Sequence, residues 1–156
     1  MALTQVRILD FGELLKFLAP YDIIMSFCPL EDEPDVGLVN QWVLDNKKNL
    51  VCPKIKGEDL LACQVFDFGE LNPGKWWILE PKECKSIELE KIEIVLVPGQ
   101  KFDIYGHRKW RGRGYYDRFL AKLSGAIKIW VLKSKQLVDK LNPNPWDIKM
   151  DMLAQM

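Results

Sequence analysis

The segment 97–118 joins the end of a predicted strand to a glycine- and arginine-rich loop, RKWRGRG at 108–114, and then to a predicted helix over 117–123. Arginine alternating with glycine at a helix entrance offers guanidinium groups and uncovered backbone N–H groups, which suit phosphate oxygens. Asp117, one turn further on, is a candidate ligand for the Mg²⁺ that accompanies a nucleotide. The residues alone leave two other interpretations open, an RNA-binding basic loop and a solvated charge run.

An acidic cluster, EDE at 31–33, is the second group with the chemistry of a binding site. It directly follows 22–28 (DIIMSFC), an apolar run stopped by Pro29 that predicts a buried strand. The arginine loop follows a predicted strand over 92–97 in the same way. Because ligands bind beyond the carboxyl ends of the strands in open α/β sheets, we expect the two groups to face one crevice.

In the rest of the chain, the spacing of apolar residues predicts the helices and strands that position these two groups. A first helix is predicted over 11–18, and a second begins at a cap formed by Asp35 and extends to about residue 46. This order of strands and helices favours an α/β, three-layer Rossmann-like fold with a largely parallel central sheet. The other predicted elements are strands at 49–52, 60–66 and 126–132, a short helix or turn within 133–141, and a loop over 143–151 that ends in a short strand.

Composition narrows the class of protein. The 156 residues suffice for one domain with a sizeable core, so a single domain over 1–156 is expected. Basic and acidic residues number 22 each, so no net charge attracts the chain to nucleic acid or lipid. No apolar stretch approaches the roughly 18 residues of a membrane span. Asp10 and Glu13 interrupt the N-terminal apolar stretch, so we expect no signal peptide and a cytoplasmic location.

The four cysteines are spread through the chain without CxxC spacing. A zinc site lacks ligands, because His107 is the only histidine. A disulfide framework is not expected for a core of this size, so the thiols are predicted to be reduced.

The ordered pattern PG-x-x-FD-x-x-G-x-R-x-x-RG-x-GYYDR, which begins at Pro98, resembles the signature of the 5-formyltetrahydrofolate cyclo-ligase (5,10-methenyltetrahydrofolate synthetase) family. The resemblance extends from about Asp22 onward and includes EDE at 31–33, KWWILEP at 75–81 and DIKMD at 147–151. It implies an enzyme that uses ATP and Mg²⁺ to phosphorylate the formyl oxygen of 5-formyltetrahydrofolate. Attack by N10 and loss of phosphate then give 5,10-methenyltetrahydrofolate. The implied protein is a monomer whose partner is the folate, with or without a polyglutamate tail.

The resemblance also implies roles for individual residues. Arg111 is the catalytic residue, because its guanidinium, with Arg113 and the loop amides, would neutralise charge on the phosphoryl oxygens. Glu33 would accept two N–H donors from the pterin. The implied ATP-binding residues are Arg108, Arg111, Gly112, Arg113, Gly114, Tyr115 and Tyr116; the substrate-binding residues are Cys28, Glu33, Trp76, Arg111, Gly112 and Tyr115; and the metal ligands are Asp117 and Asp151.

Structural interpretations stand beside several of these roles. Asp117 also suits a helix N-terminus electrostatically, and Glu33 also suits a cap before the second helix. Cys28 is equally a buried packing thiol, and Trp76 equally a core aromatic. Of the two tyrosines, Tyr115 is the expected ligand contact, and Tyr116 also fits the core.

Three features depart from the family pattern. The family opens with a basic helix that gives a lysine and an arginine to ATP, whereas this chain begins roughly where the second helix is expected. Trp110 stands where the family has glycine, and Trp77 where it has a small or polar residue. Each lost charged phosphate contact costs on the order of 1.5–3 kcal/mol. The alternative to the enzyme is therefore a catalytically weakened or inactive family member that binds a folate or nucleotide.

Overall fold

The computed structural model describes residues 5–29, 33–109, 114–142 and 148–156, apart from the side chains of Trp76, Arg108 and Ser134. The helices are α1 Phe11–Leu18, α2 Gly37–Asp45 and α3 Tyr115–Leu120, and short 3-10 turns span Phe68–Glu70, Lys75–Trp77, Leu89–Lys91 and Ser134–Gln136. The strands are β1 Arg7–Leu9, β2 Ile23–Met25, β3 Asn49–Lys56, β4 Asp59–Val65, β5 Leu71–Pro73, β6 Leu79–Pro81, β7 Lys85–Ser86, β8 Ile94–Val97, β9 Lys101–Asp103, β10 Arg108–Lys109, β11 Ile127–Leu132, β12 Leu137–Val138 and β13 Met152–Gln155.

Eight of these strands form the central sheet, in the order β1-β13-β11-β8-β2-β3-β4-β7. Every neighbouring pair from β1 to β3 is parallel, whereas β4 pairs antiparallel with β3 and β7 antiparallel with β4. The prediction of a largely parallel sheet is therefore confirmed. Two smaller sheets, β10-β9-β12 and β5-β6, lie outside it.

Two helices cover one face of the sheet. In α1, Asp10 Oδ1 accepts the Glu13 N–H at 2.8 Å and Glu13 Oε1 accepts the Asp10 N–H at 3.3 Å, a reciprocal cap that fixes the first turn. Leu14 and Leu18 of α1 pack with Val39 and Val43 of α2 in one buried cluster. Inside α2, the buried Asn40 donates from Nδ2 to the Phe27 carbonyl oxygen at 3.0 Å, which ties the helix to the chain after β2.

The opposite face is covered by α3 and the sheet β10-β9-β12. Tyr115, Tyr116, Phe119 and Leu120 of α3 are buried in a second cluster with Phe102 and Trp130, whose rings lie 5.2 Å apart. The sheet thus has apolar layers on both sides, and the three-layer α/β prediction is confirmed.

Several predicted boundaries are wrong by a few residues. The strand predicted over 22–28 is Ile23–Met25, and the helix predicted over 117–123 is Tyr115–Leu120. The cap of α2 is Val36 rather than Asp35, whose Oδ1 instead accepts the Gly37 N–H at 3.0 Å in a turn before the helix. These ends depend on hydrogen bonds that an apolar pattern does not record.

The strand predicted over 49–52 continues through Pro53 to Lys56. Ser26 donates its backbone N–H to the Val51 carbonyl oxygen at 2.8 Å, so the polar backbone groups of Val51 face the β2 side. Backbone groups alternate along a strand, so the Pro53 nitrogen faces that side too, beyond the end of β2. Proline is tolerated here because no ladder hydrogen bond is required of it.

The prediction that all four thiols are reduced is wrong for two of them. Cys63 on β4 and Cys84 just before β7 form a disulfide, whereas Cys28 and Cys52 are free. The antiparallel pairing of β4 with β7 brings the two half-cystines together, and spacing along the chain did not reveal that pairing. Within the described part of the chain, no helix is long and apolar enough to cross a membrane.

Candidate active site

A cleft of about 480 Å³, counted with its open mouth, lies beyond the carboxyl end of β2. Its polar groups are those of Cys28, Glu33, Glu80 and Tyr116. Its apolar walls come from Phe27, Pro53, Ile55, Leu60, Ile78 and Pro98. Phe27 follows β2, Pro53 lies in β3 and Pro98 follows β8, so the cleft occupies the edge of the sheet where ligands of α/β proteins bind.

Cys28 occupies the boundary between this cleft and the core beneath it. Its side chain is 8% exposed, and it packs in the same apolar cluster as the fully buried Cys52. A hydrogen bond from the Cys52 thiol lowers the pKa of Cys28 below its ordinary value. The same hydrogen bond, together with burial, raises the pKa of Cys52 well above the ordinary value. Cys28 is therefore the more acidic of the two thiols.

Glu80 anchors the wall formed by the β5-β6 hairpin. Its Oε2 accepts the Ile55 N–H at 3.2 Å, and its Oε1 accepts from Lys54 Nζ at 3.3 Å. Lys54 Nζ also donates to the Pro81 carbonyl oxygen at 2.8 Å. A Cβ atom at Gly74 would overlap the Glu80 carboxylate, so a larger residue there would push this carboxylate away from Lys54 and the Ile55 N–H. Sequence reasoning missed Lys54, Gly74 and Glu80, although Glu80 lies in the KWWILEP motif.

The entrance of α3 is held by a network around Tyr115. Gly114, at the helix cap, has a φ of 74°, a left-handed backbone conformation that favours glycine. The Tyr115 hydroxyl donates to the Gly57 carbonyl oxygen at 3.2 Å and accepts from Lys75 Nζ at 3.3 Å. The Arg118 guanidinium lies 5.3 Å from the centre of the Tyr115 ring, and Arg118 Nη2 donates to the Glu58 carbonyl oxygen at 2.7 Å. These contacts join α3 to the β3–β4 turn.

Both tyrosines are buried in one apolar cluster, and it is Tyr116 that also borders the cleft. Tyr116, which fitted the core, lines the cleft while remaining only 4% exposed. Tyr115, the expected ligand contact, is 2% exposed and its hydroxyl is bonded to protein groups. Burial and hydrogen bonding thus make Tyr115 a positioning residue for α3, and the ligand roles of both remain predictions.

The two predicted metal ligands lie on different elements. Asp117 is half-buried in the first turn of α3. Asp151 immediately precedes β13, and its Oδ2 accepts the Lys128 N–H at 2.8 Å. In the ranges that the structure describes, no three His, Cys, Asp or Glu side chains are grouped as a metal site.

Several predicted residues cannot be located from the described part of the chain. Arg111, Gly112 and Arg113 lie outside the described residues, as does Trp110. Arg108 begins β10 and Trp76 lies in the 3-10 turn Lys75–Trp77, but their side chains are among those not described. Their assigned roles remain predictions.

Asp103 shapes the start of the arginine loop and was also missed. The carboxylate is fully buried and accepts the N–H groups of Tyr105 at 3.0 Å, His107 at 3.0 Å and Leu141 at 2.9 Å, with His107 Nδ1 at 2.9 Å. Burial alone would raise the pKa of Asp103, but these hydrogen bonds outweigh it and hold the pKa below its ordinary value. The FD-x-x-G part of the motif was the available signal.

Fold and site together define an α/β protein with a ligand cleft at the carboxyl ends of its parallel strands. The model of the 5-formyltetrahydrofolate cyclo-ligase family matches residues 16–155. The chain therefore belongs to this family, as the motif predicted.

Individual relatives agree with this assignment. The 5-formyltetrahydrofolate cyclo-ligase of Mycoplasma pneumoniae is 34% identical over 146 residues, which cover 90% of this chain and 79% of the relative. A probable 5-formyltetrahydrofolate cyclo-ligase of Schizosaccharomyces pombe is 34% identical over 93 residues, 56% of this chain and 44% of that protein. The matched segment thus spans less than half of the fission yeast relative.

Solved structures of the family share the fold. The NMR structure of Aquifex aeolicus 5,10-methenyltetrahydrofolate synthetase gives a TM-score of 0.79 at 31% identity, over 90% of this chain and 72% of that chain. The 5,10-methenyltetrahydrofolate synthetase of Mycoplasma pneumoniae gives a TM-score of 0.70 at 25% identity, over 91% and 79%.

Proposed function

We propose that this chain catalyses the ATP-dependent cyclisation of 5-formyltetrahydrofolate to 5,10-methenyltetrahydrofolate, with release of ADP and phosphate. The observation that carries the proposal is that Cys28, Glu33 and Tyr116 line one cleft. Cys28 and Glu33 follow β2, Tyr116 comes from the distant helix α3, and each matches a position to which the family resemblance gives a role. Relatives named for this activity, with the same fold, support the proposal.

The cleft has the chemistry of a pterin site. Apolar walls from Phe27, Ile55 and Ile78 suit the faces of a flat ring system, because such contacts release water from apolar surface. The Glu33 carboxylate is suited to accept the pterin amino and ring N–H groups side by side. Glu80 instead supports the wall, because Lys54 and the Ile55 N–H hold its carboxylate there.

The phosphates of ATP belong, in this proposal, to the loop before α3. Tyr116, the second residue of α3, lines the cleft, so the start of this helix lies at its border. Transfer to the formyl oxygen requires the two substrates to meet at such a border. Arg108, Arg111 and Arg113, with the Gly112 and Gly114 amides, are the donors assigned to the phosphoryl oxygens.

Asp117 and Asp151 are the residues that would hold Mg²⁺. Their donor chemistry fits, because Mg²⁺ takes hard carboxylate oxygens, usually one or two beside phosphate oxygens and water. Asp117 immediately follows the cleft residue Tyr116, and Asp151 is oriented by the Lys128 N–H. The ion would offset negative charge on the phosphoryl group during transfer.

The direct test mixes purified protein with MgATP and 5-formyltetrahydrofolate and follows methenyltetrahydrofolate by absorbance. We expect a rise that requires all three components and releases phosphate in equal amount. Thermal shifts with each ligand alone separate the outcomes when no rise occurs. A shift with the folate but not with MgATP would identify a family member that binds without catalysis. No shift with either ligand would refute the proposal.

A further inference from the structure

The four cysteines form two pairs with different bonding. Cys63 and Cys84 are joined, whereas Cys28 and Cys52 are free thiols packed in one buried apolar cluster. Cys28 and Cys52 pack among apolar side chains, and other apolar residues would fill the same space. Packing alone therefore does not require sulfur in the free pair. Its position at the cleft suggests a chemical use for it.

The geometry gives the two free thiols different access to small molecules. Cys28 follows β2 and lines the cleft, where 8% of it is exposed. Cys52, on the adjacent strand β3, is fully buried beneath it. The Ser26 N–H to Val51 carbonyl hydrogen bond at 2.8 Å keeps the two chain segments together just before the thiols. A reagent in the cleft therefore meets Cys28 first, with Cys52 behind it.

We propose that Cys28 and Cys52 form an oxidation-sensitive dithiol, in which a hydroperoxide that enters the cleft converts the pair to a disulfide and impairs ligand binding. The pair is separate from the existing Cys63–Cys84 bond, which lies across β4 and the segment before β7. The dithiol is therefore a modification site within the cleft wall.

The oxidation of the dithiol to a disulfide takes two steps. The Cys28 thiolate attacks one peroxide oxygen, the O–O bond breaks, and the other oxygen leaves and takes a proton; sulfur is oxidised by two electrons to a sulfenic acid and the peroxide is reduced. The Cys52 sulfur then attacks the Cys28 sulfur, the S–O bond breaks, and the oxygen leaves as water with the Cys52 proton. A reducing dithiol reverses the change. The hydrogen bond from Cys52, which lowers the pKa of Cys28, favours the first step.

Mass spectrometry tests the dithiol without any activity measurement. After peroxide treatment and non-reducing digestion, we expect a peptide linked through Cys28 and Cys52, which a small dithiol converts back to free thiols. In Cys52→Ala, Cys28 should stop at the sulfenic acid, which a dimedone probe captures. In Cys28→Ala, Cys52 should stay unmodified. Unmodified Cys28 in the wild type, or equal Cys52 oxidation in Cys28→Ala, would overturn the proposal.

The effect on ligand binding rests on the proposed function, and a protection experiment separates the two. Saturating 5-formyltetrahydrofolate should slow formation of the linked peptide, and the oxidised protein should lose its folate-dependent thermal shift until reduced. If the linkage forms but the folate neither shifts the melting temperature nor protects, the proposed function fails while the dithiol stands. If the folate shifts the melting temperature equally before and after complete linkage, the inhibitory part of this proposal fails.

Discussion

The hydroxyl of Tyr115 donates to the carbonyl oxygen of Gly57, at 3.2 Å, across 58 residues of chain. Lys75 Nζ donates to the same hydroxyl at 3.3 Å. One phenol group thus joins the entrance of α3, the β3–β4 turn and the 3-10 turn Lys75–Trp77, three segments around the cleft. The position of α3 depends on this junction as well as on apolar packing.

Replacing Tyr115 by Phe removes the junction and keeps the ring. We expect the free energy of unfolding to fall by about 1 kcal/mol, because the carbonyl of Gly57 and the Lys75 ammonium lose a partner. Chemical denaturation measures the change. Tyr21→Phe is the matched control, since the Tyr21 hydroxyl makes no hydrogen bond to the described residues, and a similar loss there would contradict the assignment.

Asp103 makes stability depend on pH. Its pKa in the folded protein is lower than in the unfolded chain, so its contribution is present above the unfolded value of about 3.9. That contribution is lost as pH falls through the folded-state pKa, because the protonated carboxyl is a weaker acceptor for the backbone N–H groups that it binds. Asp103→Asn should cost about 1–3 kcal/mol at neutral pH and flatten the acid limb of the stability curve.

Denaturation curves between pH 2 and pH 7 test this dependence. The control is Asp139→Asn, at an exposed position. An unchanged acid limb in Asp103→Asn would show that other groups control stability in acid.

Arg111 is predicted to contribute to catalysis and not to the stability of the fold. Arg111→Ala should abolish formation of methenyltetrahydrofolate while the melting temperature stays within about 1–2 °C, because loss of one loop side chain has little effect on stability. Lys109→Ala removes an exposed positive charge from the same loop and should retain activity. A large fall in melting temperature for Arg111→Ala, or equal loss of activity in both variants, would contradict the catalytic role.

Glu33 is predicted to bind the pterin through its charge. Glu33→Gln should weaken binding of the reduced folate by roughly 1.5–3 kcal/mol, which is about one to two decades in Kd. Binding of MgATP should not change. Calorimetry with each ligand measures both, and the exposed Glu90→Gln is the control for a loss of negative charge. Unchanged folate affinity in Glu33→Gln would remove Glu33 from the site.

Trp77 combines a left-handed backbone, with a φ of 62°, and 83% exposure. A residue with a Cβ atom pays on the order of 1 kcal/mol in that conformation, and little packing offsets it here. Trp77→Gly should therefore raise the free energy of unfolding or leave it unchanged. Leu79→Gly, also at an exposed position but within a strand, should lower it. Destabilisation of both variants alike would mean that the Trp77 ring has a structural contact.

Local signals predicted some elements well. Apolar residues at helical spacing, ending before Pro20, were enough to predict α1 over 11–18. The strands β5, β6, β7, β9, β10 and β12 have only two or three residues each and exist through pairing with distant segments, so no local pattern indicated them. The Cys63–Cys84 bond was missed for the same reason, since it depends on β7 lying beside β4.

The site was predictable only in part. Motif resemblance indicated Cys28, Glu33 and Tyr116, and the structure brings them to one cleft. It did not distinguish Tyr115 from Tyr116, because adjacent helical residues point in different directions and the helix orientation is set by tertiary contacts. Lys54 and Glu80 act through a salt bridge between separate strands, which a linear pattern does not encode.

Pro53 lies in β3 at the level where the pairing between β2 and β3 ends. Pro53 has no amide hydrogen to donate on the β2 side, and the pairing of β2 with β3 ends at Met25 and Val51, so Phe27 and Cys28 lie beyond it. Phe27, Cys28 and Pro53 line the cleft just beyond this end of the pairing. A single imino acid in the middle of a long strand thus withholds one hydrogen-bond donor at the point where the paired sheet ends and room for a ligand begins.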